Sequence, residues 1–249
     1  MNRFVIIIPF YNAQKYIERC LMSALSQKHK EFSVVIINDA STDDSDNIVK
    51  SVLSNFDESH YVYIVNKSRK GAMYNHQFAA LNLTAYNDII VHLDGDDYLP
   101  NKKVLSFIDS VYSEGDCLLM YGQYTRETGG HGTSKPFESE ESYNNLRELP
   151  FVFSHIRTFR SGLFHEIKEQ DSDLNCFKNK EGQWFDVSCD VAMMTPLLEI
   201  AGYDRIKFND TSLYIYNDTN PISDFRTKLM KQESTERYIR GQKPFLKMK

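Results

Sequence analysis

The first half of the chain alternates between short continuous apolar runs and longer segments in which apolar residues recur every three or four positions. A continuous run such as FVIIIP at residues 4–9 is typical of a strand that is buried on both faces. The recurring pattern, seen at Ile17, Leu21 and Ala24, is typical of an amphipathic helix. In chain order we predict strand 4–9, helix 12–25, strand 32–39, helix 41–56, strand 61–65, helix 71–83, strand 88–94, helix 101–115 and strand 116–124. This alternation predicts an α/β fold with a mostly parallel central sheet flanked by helices.

Polar clusters follow four of these predicted strands, at residues 10–12, 38–41, 66–71 and 94–97. Ligands of parallel α/β sheets bind in the crevice outside the carboxyl ends of the strands. The four clusters are therefore expected to line one pocket.

The densest cluster is HLDGDDY at residues 92–98, in which Asp94, Asp96 and Asp97 occur within four positions. Carboxylates this close repel one another unless something neutralises them. A metal ion, a pair of basic side chains, or water around an acidic surface turn would each do so, and Asp-Gly dipeptides favour turns by themselves.

The alternating pattern weakens after about residue 125. Residues 126–145 are rich in Gly, Ser and Glu and predict a mobile loop, whereas residues 190–202 predict a further helix. We expect one compact unit with a first half at 1–125, a second half at 126–225, and a basic helical tail at 226–249.

Charge and cysteine content narrow the class of protein. The net charge is −5, although residues 226–249 carry eight Lys/Arg against two Glu. This tail predicts either a solvated helix or a contact with phosphate, nucleic acid or anionic lipid. The four cysteines are widely spaced, which argues against a zinc or redox motif and favours reduced thiols in the cytoplasm. No apolar segment is long enough to span a bilayer, so contact with a membrane would be peripheral.

Several parallel-sheet enzymes are excluded by their missing motifs. The turn after the first strand, PFYNAQK, has no glycine, which excludes a dinucleotide-binding fingerprint and a nucleotidyltransferase phosphate loop. The chain also has no GxxxxGK[ST] and no GxSxG, so it is neither a P-loop enzyme nor an α/β-hydrolase.

The remaining motifs resemble those of family 2 glycosyltransferases with the GT-A fold. The segments that carry the resemblance are FVIIIPFYNAQKYIERCLMSALSQ, VVIINDASTDDS and HLDGDDYLP, with looser similarity in FSHIRTFRSGLF, SCDVAMMTPLLEIAG and LYIYNDTNPISDF. The resemblance implies an inverting transferase that uses a nucleotide-activated sugar together with Mn²⁺ or Mg²⁺. The physical argument agrees, because a divalent ion bound by carboxylates would stabilise the charge on a departing nucleoside diphosphate.

The resemblance also implies which residues hold the donor. Asp94 would face the ribose and the metal, and Asp96 would be the direct metal ligand. Asp39 would accept a hydrogen bond from the base, which favours UDP because uracil offers an N–H at N3; alternatively Asp39 caps the next helix with Ser41. The residues assigned to the nucleotide sugar are Pro9, Phe10, Tyr11, Asn12, Asp39, Lys70, Asp94, Gly95 and Asp96. Tyr11 is either a stacking partner of the base or a half-buried core aromatic. Lys70 and Arg69 either meet the phosphate or base or form a solvated basic turn.

An inverting displacement needs one general base near the acceptor hydroxyl. By resemblance this base is Asp190, with Asp186 in reserve. The alternative is that Asp190 is only a helix N-cap. The family often has Glu-Asp where this chain has Cys189-Asp190. Four residues are assigned to the acceptor: Asp97, Arg157, Arg160 and Trp184. The alternatives are that Asp97 orients its loop, that the two arginines form ion pairs, and that Trp184 belongs to the core.

A second group of polar residues receives weaker assignments. His155 and His165 add positive charge to the acceptor segment, and His92 is expected to be a hydrogen-bonded core histidine. A polar turn over the donor is expected at Asn217, Asn220 and Asp224, and a closing clamp on the diphosphate at Arg226 and Lys228.

The sequence therefore predicts a glycosyltransferase that moves a sugar, most simply from a UDP-sugar, to a hydroxyl of a glycan or envelope precursor. One alternative acceptor is a hydroxylated base of phage-type DNA, for which the basic tail would bind phosphates. A different class of protein, a non-catalytic nucleotide-sugar or glycan binding module, would fit the donor residues but would tolerate the loss of Asp190.

Overall fold

The computed structural model describes residues 1–220 and 229–249. The strands are β1 (Phe4–Phe10), β2 (Phe32–Asn38), β3 (Tyr61–Val65), β4 (Ile89–His92), β5 (Leu119–Gly122), β6 (Thr125–Arg126), β7 (Arg157–Arg160), β8 (Ile206–Asn209) and β9 (Ile215–Tyr216). In this part of the chain one sheet has seven strands in the order β3-β2-β1-β4-β7-β5-β8, and β6 pairs with β9 in a second sheet. The predicted α/β architecture is confirmed.

Helices cover both faces of the large sheet. They are α1 (Ile17–Leu25), α2 (Ser45–Leu53), α3 (Ala72–Asn82), α4 (Val104–Ser113), α5 (Glu140–Asn144), α6 (Gly162–Gln170), α7 (Cys189–Ala201) and α8 (Leu229–Arg240). None of these described helices combines the length and the apolar composition needed to cross a lipid bilayer.

The β1 strand is buried on both faces, as its continuous apolar run predicts. Val5 and Ile7 point to a cluster that includes residues of α3, α6 and α7. Ile6 and Ile8 point to the opposite cluster, which includes residues of α1, α2 and α4. All four are at most 1% exposed, and burying each such side chain stabilises the fold by about 1.5–3 kcal/mol.

The first two helices begin several residues later than predicted. Asn12 and Ala40, just after β1 and β2, have φ angles of +50° and +62°, and left-handed residues interrupt a right-handed helix. The α1 and α2 helices therefore begin at Ile17 and Ser45. The turns in between lie side by side, because the Asn12 backbone N–H donates to the Ser41 hydroxyl at 3.0 Å.

The sheet changes direction at β7, which the sequence pattern did not reveal. This strand is antiparallel to both β4 and β5, whereas β1, β2, β3 and β4 run parallel to one another. Arg157 pairs with His92 at the carboxyl end of β4, and Arg160 pairs with Ile89 at the other end. Two arginines three residues apart thus lie at opposite edges of the sheet.

The basic tail is docked on the body of the protein. Ile239 is 1% exposed, and the Arg147 guanidinium donates to the carbonyl oxygens of Ile239 and Gln242 at 2.8 and 3.0 Å. Further along, the Met248 N–H donates to the Ile200 carbonyl in α7 at 2.9 Å. The interpretation of this segment as a solvated helix therefore holds only for its outer face.

Candidate active site

The candidate site lies where the carboxyl ends of β1, β2 and β4 meet the amino end of β7. At the centre is the loop after β4, which carries Asp94, Gly95, Asp96 and Asp97. Gly95 allows this loop to approach β1 closely, because a Cβ at this position would lie 2.5 Å from the Cβ of Phe10. No other residue type fits here without displacing one of the two segments.

Asp94 is surrounded by positively charged or polar groups. Nε2 of His92 lies 3.2 Å from its Oδ1, and the Tyr214 hydroxyl oxygen lies 3.4 Å from its Oδ2 and accepts a hydrogen bond from the Asp94 backbone N–H at 3.2 Å. Burial opposes ionisation, but the pKa of Asp94 is lowered by the attraction of His92 and, further away, His155 and Arg157. Of the three carboxylates in this loop, Asp94 is the one whose pKa is lowered.

Asp96 and Asp97 have the opposite tendency. Burial, followed by repulsion from Asp94, raises the pKa of Asp96. Burial, followed by repulsion from Asp96 and Asp94, raises the pKa of Asp97 well above its ordinary value. Asp96 accepts a hydrogen bond from the Asn220 amide at 2.7 Å. The predicted polar turn at Asn217 and Asn220 therefore contacts this loop. The other residues predicted to close over the donor, Asp224, Arg226 and Lys228, lie outside the described residues.

The structure corrects the acceptor assignment of Asp97. This side chain is 1% exposed, and it accepts hydrogen bonds from the Tyr214 hydroxyl at 2.6 Å and from the Asn217 backbone N–H at 2.7 Å. Both oxygens are used inside the protein, so Asp97 fits the alternative role of orienting its loop.

The remaining carboxylates fit a divalent cation. Asp94 and Asp96 offer hard oxygen donors, which suit Mn²⁺ or Mg²⁺. A bound cation would also relieve the repulsion that raises the pKa of Asp96. Among the described residues, no Lys or Arg makes an ion pair with Asp96. Within this part of the chain, the pair of basic side chains considered as a neutralising group is therefore not observed.

The pocket for a base would lie between β1, β2 and the loop after β3. Asp39 is 4% exposed and accepts hydrogen bonds from the Lys70 and Gly71 backbone N–H groups at 2.8 and 2.9 Å. Asp39 therefore anchors the loop after β3 and does not cap α2. The Arg69 guanidinium lies 4.0 Å from the centre of the Tyr11 ring, which makes Tyr11 half-buried and covered on one face.

Asp190 lies on the opposite side of the site, in the first turn of α7. Its Oδ2 accepts a hydrogen bond from Arg157 at 3.3 Å, and its Oδ1 accepts one from the Val191 N–H at 2.9 Å. The N-cap position of α7 is Ser188, so the interpretation of Asp190 as the N-cap is wrong. Asp186, the reserve base, pairs with Lys231 of α8 at 2.6 Å.

Comparison with known proteins places this architecture in a family. The sequence profile for glycosyl transferase family 2 matches residues 5–168, which is more than half of the chain. The chain belongs to glycosyl transferase family 2. This confirms the resemblance seen in the strand-end motifs.

One curated relative of this family 2 chain has a name that specifies both a transferred sugar and an acceptor polymer. Poly(ribitol-phosphate) beta-N-acetylglucosaminyltransferase TarS of Staphylococcus aureus (strain Mu50 / ATCC 700699) is 32% identical over 128 residues, which cover 49% of this chain and 22% of TarS. The chain spans about half or less of the length of the curated relatives that it matches.

Solved GT-A structures share the fold. The crystal structure of S. aureus TarS 1-349 in complex with UDP has a TM-score of 0.65 at 20% identity, covering 94% of this chain and 65% of that one. The mannosyltransferase PcManGT from Pyrobaculum calidifontis, in complex with GDP-Man and Mn²⁺, has a TM-score of 0.66 at 16% identity, covering 97% of this chain and 65% of that one.

The other two acceptor candidates in this family 2 chain, Arg160 and Trp184, lie in different surroundings. Arg160 donates to the Asn87 carbonyl and the Asn2 side chain, both at 3.0 Å, at the edge of the sheet away from Asp94; the structure does not bring it to the site. Trp184 is half-buried. The centre of its ring lies 5.5 Å from the centre of the Tyr74 ring and 4.8 Å from Nζ of Lys178. It combines a core contact with a partly open ring.

Sequence reasoning missed or undervalued several residues that complete the site. The rings of His76 and His92 lie 3.9 Å apart, and His155 stacks on Tyr214 at 4.2 Å. His76 and Tyr214 come from α3 and from the segment before β9, far apart along the chain. No local pattern marks them, because their position depends on tertiary packing.

Proposed function

We propose that this chain is an inverting glycosyltransferase that moves a sugar from a nucleoside diphosphate sugar to a hydroxyl acceptor. The observation that carries the proposal is the arrangement of Asp94 and Asp96 at the end of β4, with Asp39 on one side and Asp190 on the other. Membership of glycosyl transferase family 2 supports it. The residues supply the two requirements of the reaction, a site for the leaving diphosphate and a base for the attacking hydroxyl.

The donor is expected to be bound with a divalent ion held by Asp96 and Asp94. Such an ion would stabilise the negative charge that develops on the diphosphate as the bond to the sugar breaks. Mn²⁺ is supported by the fold neighbour that contains GDP-Man and Mn²⁺, and Mg²⁺ is the alternative with the same ligand preference. UDP is favoured because a TarS structure contains UDP and because the family resemblance pairs Asp39 with the N3–H of uracil. That contact would share the Asp39 carboxylate with the Lys70 and Gly71 backbone N–H groups.

Asp190 acts as the general base in this proposal. The acceptor oxygen attacks the anomeric carbon from the face opposite the diphosphate, and the hydroxyl proton passes to the Asp190 carboxylate. The bond between the anomeric carbon and the diphosphate oxygen breaks, and its electron pair leaves with the nucleoside diphosphate. A single displacement inverts the anomeric centre.

The acceptor class that we favour is a glycan or envelope polymer. The relative TarS, whose name specifies poly(ribitol-phosphate), supports this class. The nucleic acid alternative depended on the basic tail together with Arg157 and Arg160. In the tail, Lys231 pairs with Asp186 and Lys247 with Asp204, and Arg157 pairs with Asp190. No observation therefore favours DNA as the acceptor. Reaction in the cytoplasm stays a prediction.

Donor binding is tested by thermal unfolding with UDP, GDP, CDP, ADP or TDP, each with Mn²⁺ and again with a chelator. A ligand at 100 times its dissociation constant stabilises the folded state by about 2.7 kcal/mol. We expect a shift for UDP that the chelator abolishes. A set of nucleotides that all leave the melting temperature unchanged would refute the donor site.

Catalysis is tested with Asp190→Asn and the matched variant Asp186→Asn. We expect Asp190→Asn to lose turnover by about 10²–10⁴-fold while keeping the nucleotide-dependent thermal shift, and Asp186→Asn to keep both. Full turnover in Asp190→Asn would show that the base is assigned wrongly. Donor binding without turnover in the unaltered chain would instead indicate a binding module.

A further inference from the structure

Arg157 is a buried charge whose contacts are few. It is 3% exposed, and its Nε donates to the Phe153 carbonyl at 3.2 Å. Among the described residues, Asp190 is the carboxylate that lies within ion-pair distance of it. A buried guanidinium needs a compensating charge, and Asp190 supplies it. The Arg157 side chain, which sequence reasoning assigned to the acceptor, is therefore occupied by this contact.

The contacts of Asp190 differ between its two oxygens. Oδ1 is held at the start of α7 by the Val191 N–H, whereas Oδ2 meets Arg157. The side chain remains 37% exposed, so the lone pairs that neither group uses are open to the site. Two contacts from different elements fix both the position and the rotation of the carboxylate.

Two charged groups from other elements act on Asp190. Arg157 approaches from β7, and Glu236 of α8 is close enough that repulsion from Asp190 contributes to the raised pKa of Glu236, after burial and against Arg240. Lys231 of α8 pairs with Asp186, which lies in the segment before α7, and not with Asp190. Among the described residues, Arg157 is therefore the positive charge in contact with Asp190, and the Glu236 carboxyl opposes it.

We propose that Arg157 is a positioning residue, which holds the Asp190 carboxylate in place and aimed at the acceptor hydroxyl. The inference rests on the proposed function, because it concerns the same base. It gives Arg157 a role in the rate of the chemical step and none in binding the donor. The antiparallel β7 makes this possible, because it starts at the edge of the sheet where β4 ends.

The test compares Arg157→Met and Arg157→Lys with Arg160→Met, a matched change in the same strand at the far edge of the sheet. The assay is the release of UDP from UDP-glucose or UDP-N-acetylglucosamine with Mn²⁺ and glycerol as the hydroxyl acceptor, measured from pH 5 to 9. We expect Arg157→Met to lower kcat by about 100-fold with the donor KM unchanged, since a displaced catalytic group loses about that much. Arg157→Lys should recover part of the loss, and Arg160→Met should behave as the unaltered protein.

The split between kcat and donor KM, together with partial rescue by Arg157→Lys, separates positioning from a general structural effect. In an Asp190→Asn background, Arg157→Met should cause no further loss. Should Arg157→Met be too unstable to study, Arg157→Lys and its combination with Asp190→Asn give the same comparison.

The outcomes distinguish this inference from the proposed function. If Asp190→Asn is inactive but the Arg157 variants match Arg160→Met in kcat, the positioning role is wrong and the proposed function stands. If the Arg157 variants raise the donor KM while kcat is unchanged, Arg157 binds substrate and the inference is overturned. If Asp190→Asn remains active, or if the unaltered protein releases no UDP, both ideas fail.

Discussion

The strongest test of the packing concerns the buried ion pair that fastens the C-terminal segment. The Arg147 guanidinium makes two hydrogen bonds to the Glu199 carboxylate of α7, at 2.5 and 2.9 Å. The two side chains are 14% and 8% exposed. Glu199 also accepts a hydrogen bond from the Phe245 N–H at 3.0 Å. The pair therefore joins α7, the segment before β7, and the segment after α8.

Arg147→Met removes one charge and leaves the Glu199 carboxylate buried without its partner. Breaking a buried pair in this way costs about 3–5 kcal/mol, which is a large part of the 5–15 kcal/mol typical of a folded domain. An exposed pair provides the contrast: Lys50 and Asp46 of α2 have side chains 62% and 33% exposed. Lys50→Met should therefore cost no more than about 0.5 kcal/mol.

The assay is urea unfolding followed by circular dichroism, with midpoint and slope fitted for each variant. Arg147→Met combined with Glu199→Met should cost less than the sum of the two single changes, because neither charge is then left unpaired. A cost below about 1 kcal/mol for Arg147→Met, similar to that of Lys50→Met, would refute the reasoning from burial.

Three further changes test the site and the core. Gly95→Ala should abolish the nucleotide-dependent thermal shift, because the new Cβ would lie 2.5 Å from that of Phe10, whereas Gly115→Ala, with nothing within 4 Å, should leave the shift intact; equal behaviour would contradict the close approach. Asp96→Asn should keep the fold but remove the part of the nucleotide shift that a chelator abolishes, and a retained chelator-sensitive shift would show that another residue holds the ion. Burial raises the pKa of the Cys117 thiol from 9.0 to about 11, so its contribution to stability is present below pH 9 and is lost as the pH rises to 11. Unfolding by urea at pH 8 and pH 10.5 should therefore show about 2 kcal/mol more loss in the unaltered protein than in Cys117→Ala, and parallel losses would contradict this assignment.

The elements of the first half were predictable because their signals are local. The β1 run FVIIIPF is apolar at nearly every position and is buried throughout, and α1 buries Ile17, Leu21 and Ala24 at helical spacing. The helix boundaries were less predictable. Ala40 has a left-handed backbone conformation, and alanine seldom adopts that conformation, so its presence in the sequence did not indicate a break before α2.

The second half was harder to predict because its structure depends on distant partners. The β7 strand, RTFR, has two arginines in four residues, and only its pairing between β4 and β5 buries Arg157. The candidate carboxylates were visible in HLDGDDY, but their division of roles was not. Tyr214 and Asn217 occupy both oxygens of Asp97 from more than 100 positions away along the chain.

The reversed β7 strand also determines where this protein can change without disturbing the proposed donor site. Because β5 is parallel to β4 and β7 is antiparallel to both, the connection of residues 123–156 leaves and re-enters the sheet at the edge that carries Asp94. Insertions or exchanges of loop sequence in this connection would reshape the acceptor approach while β1, β2 and β4 keep their register. By contrast, adding or removing one residue within β7 would turn Arg157 away from Asp190, because successive strand side chains point to opposite faces. We therefore expect acceptor specificity to be transferable between relatives by grafting within residues 123–156, with Arg147 kept and the length of β7 held constant.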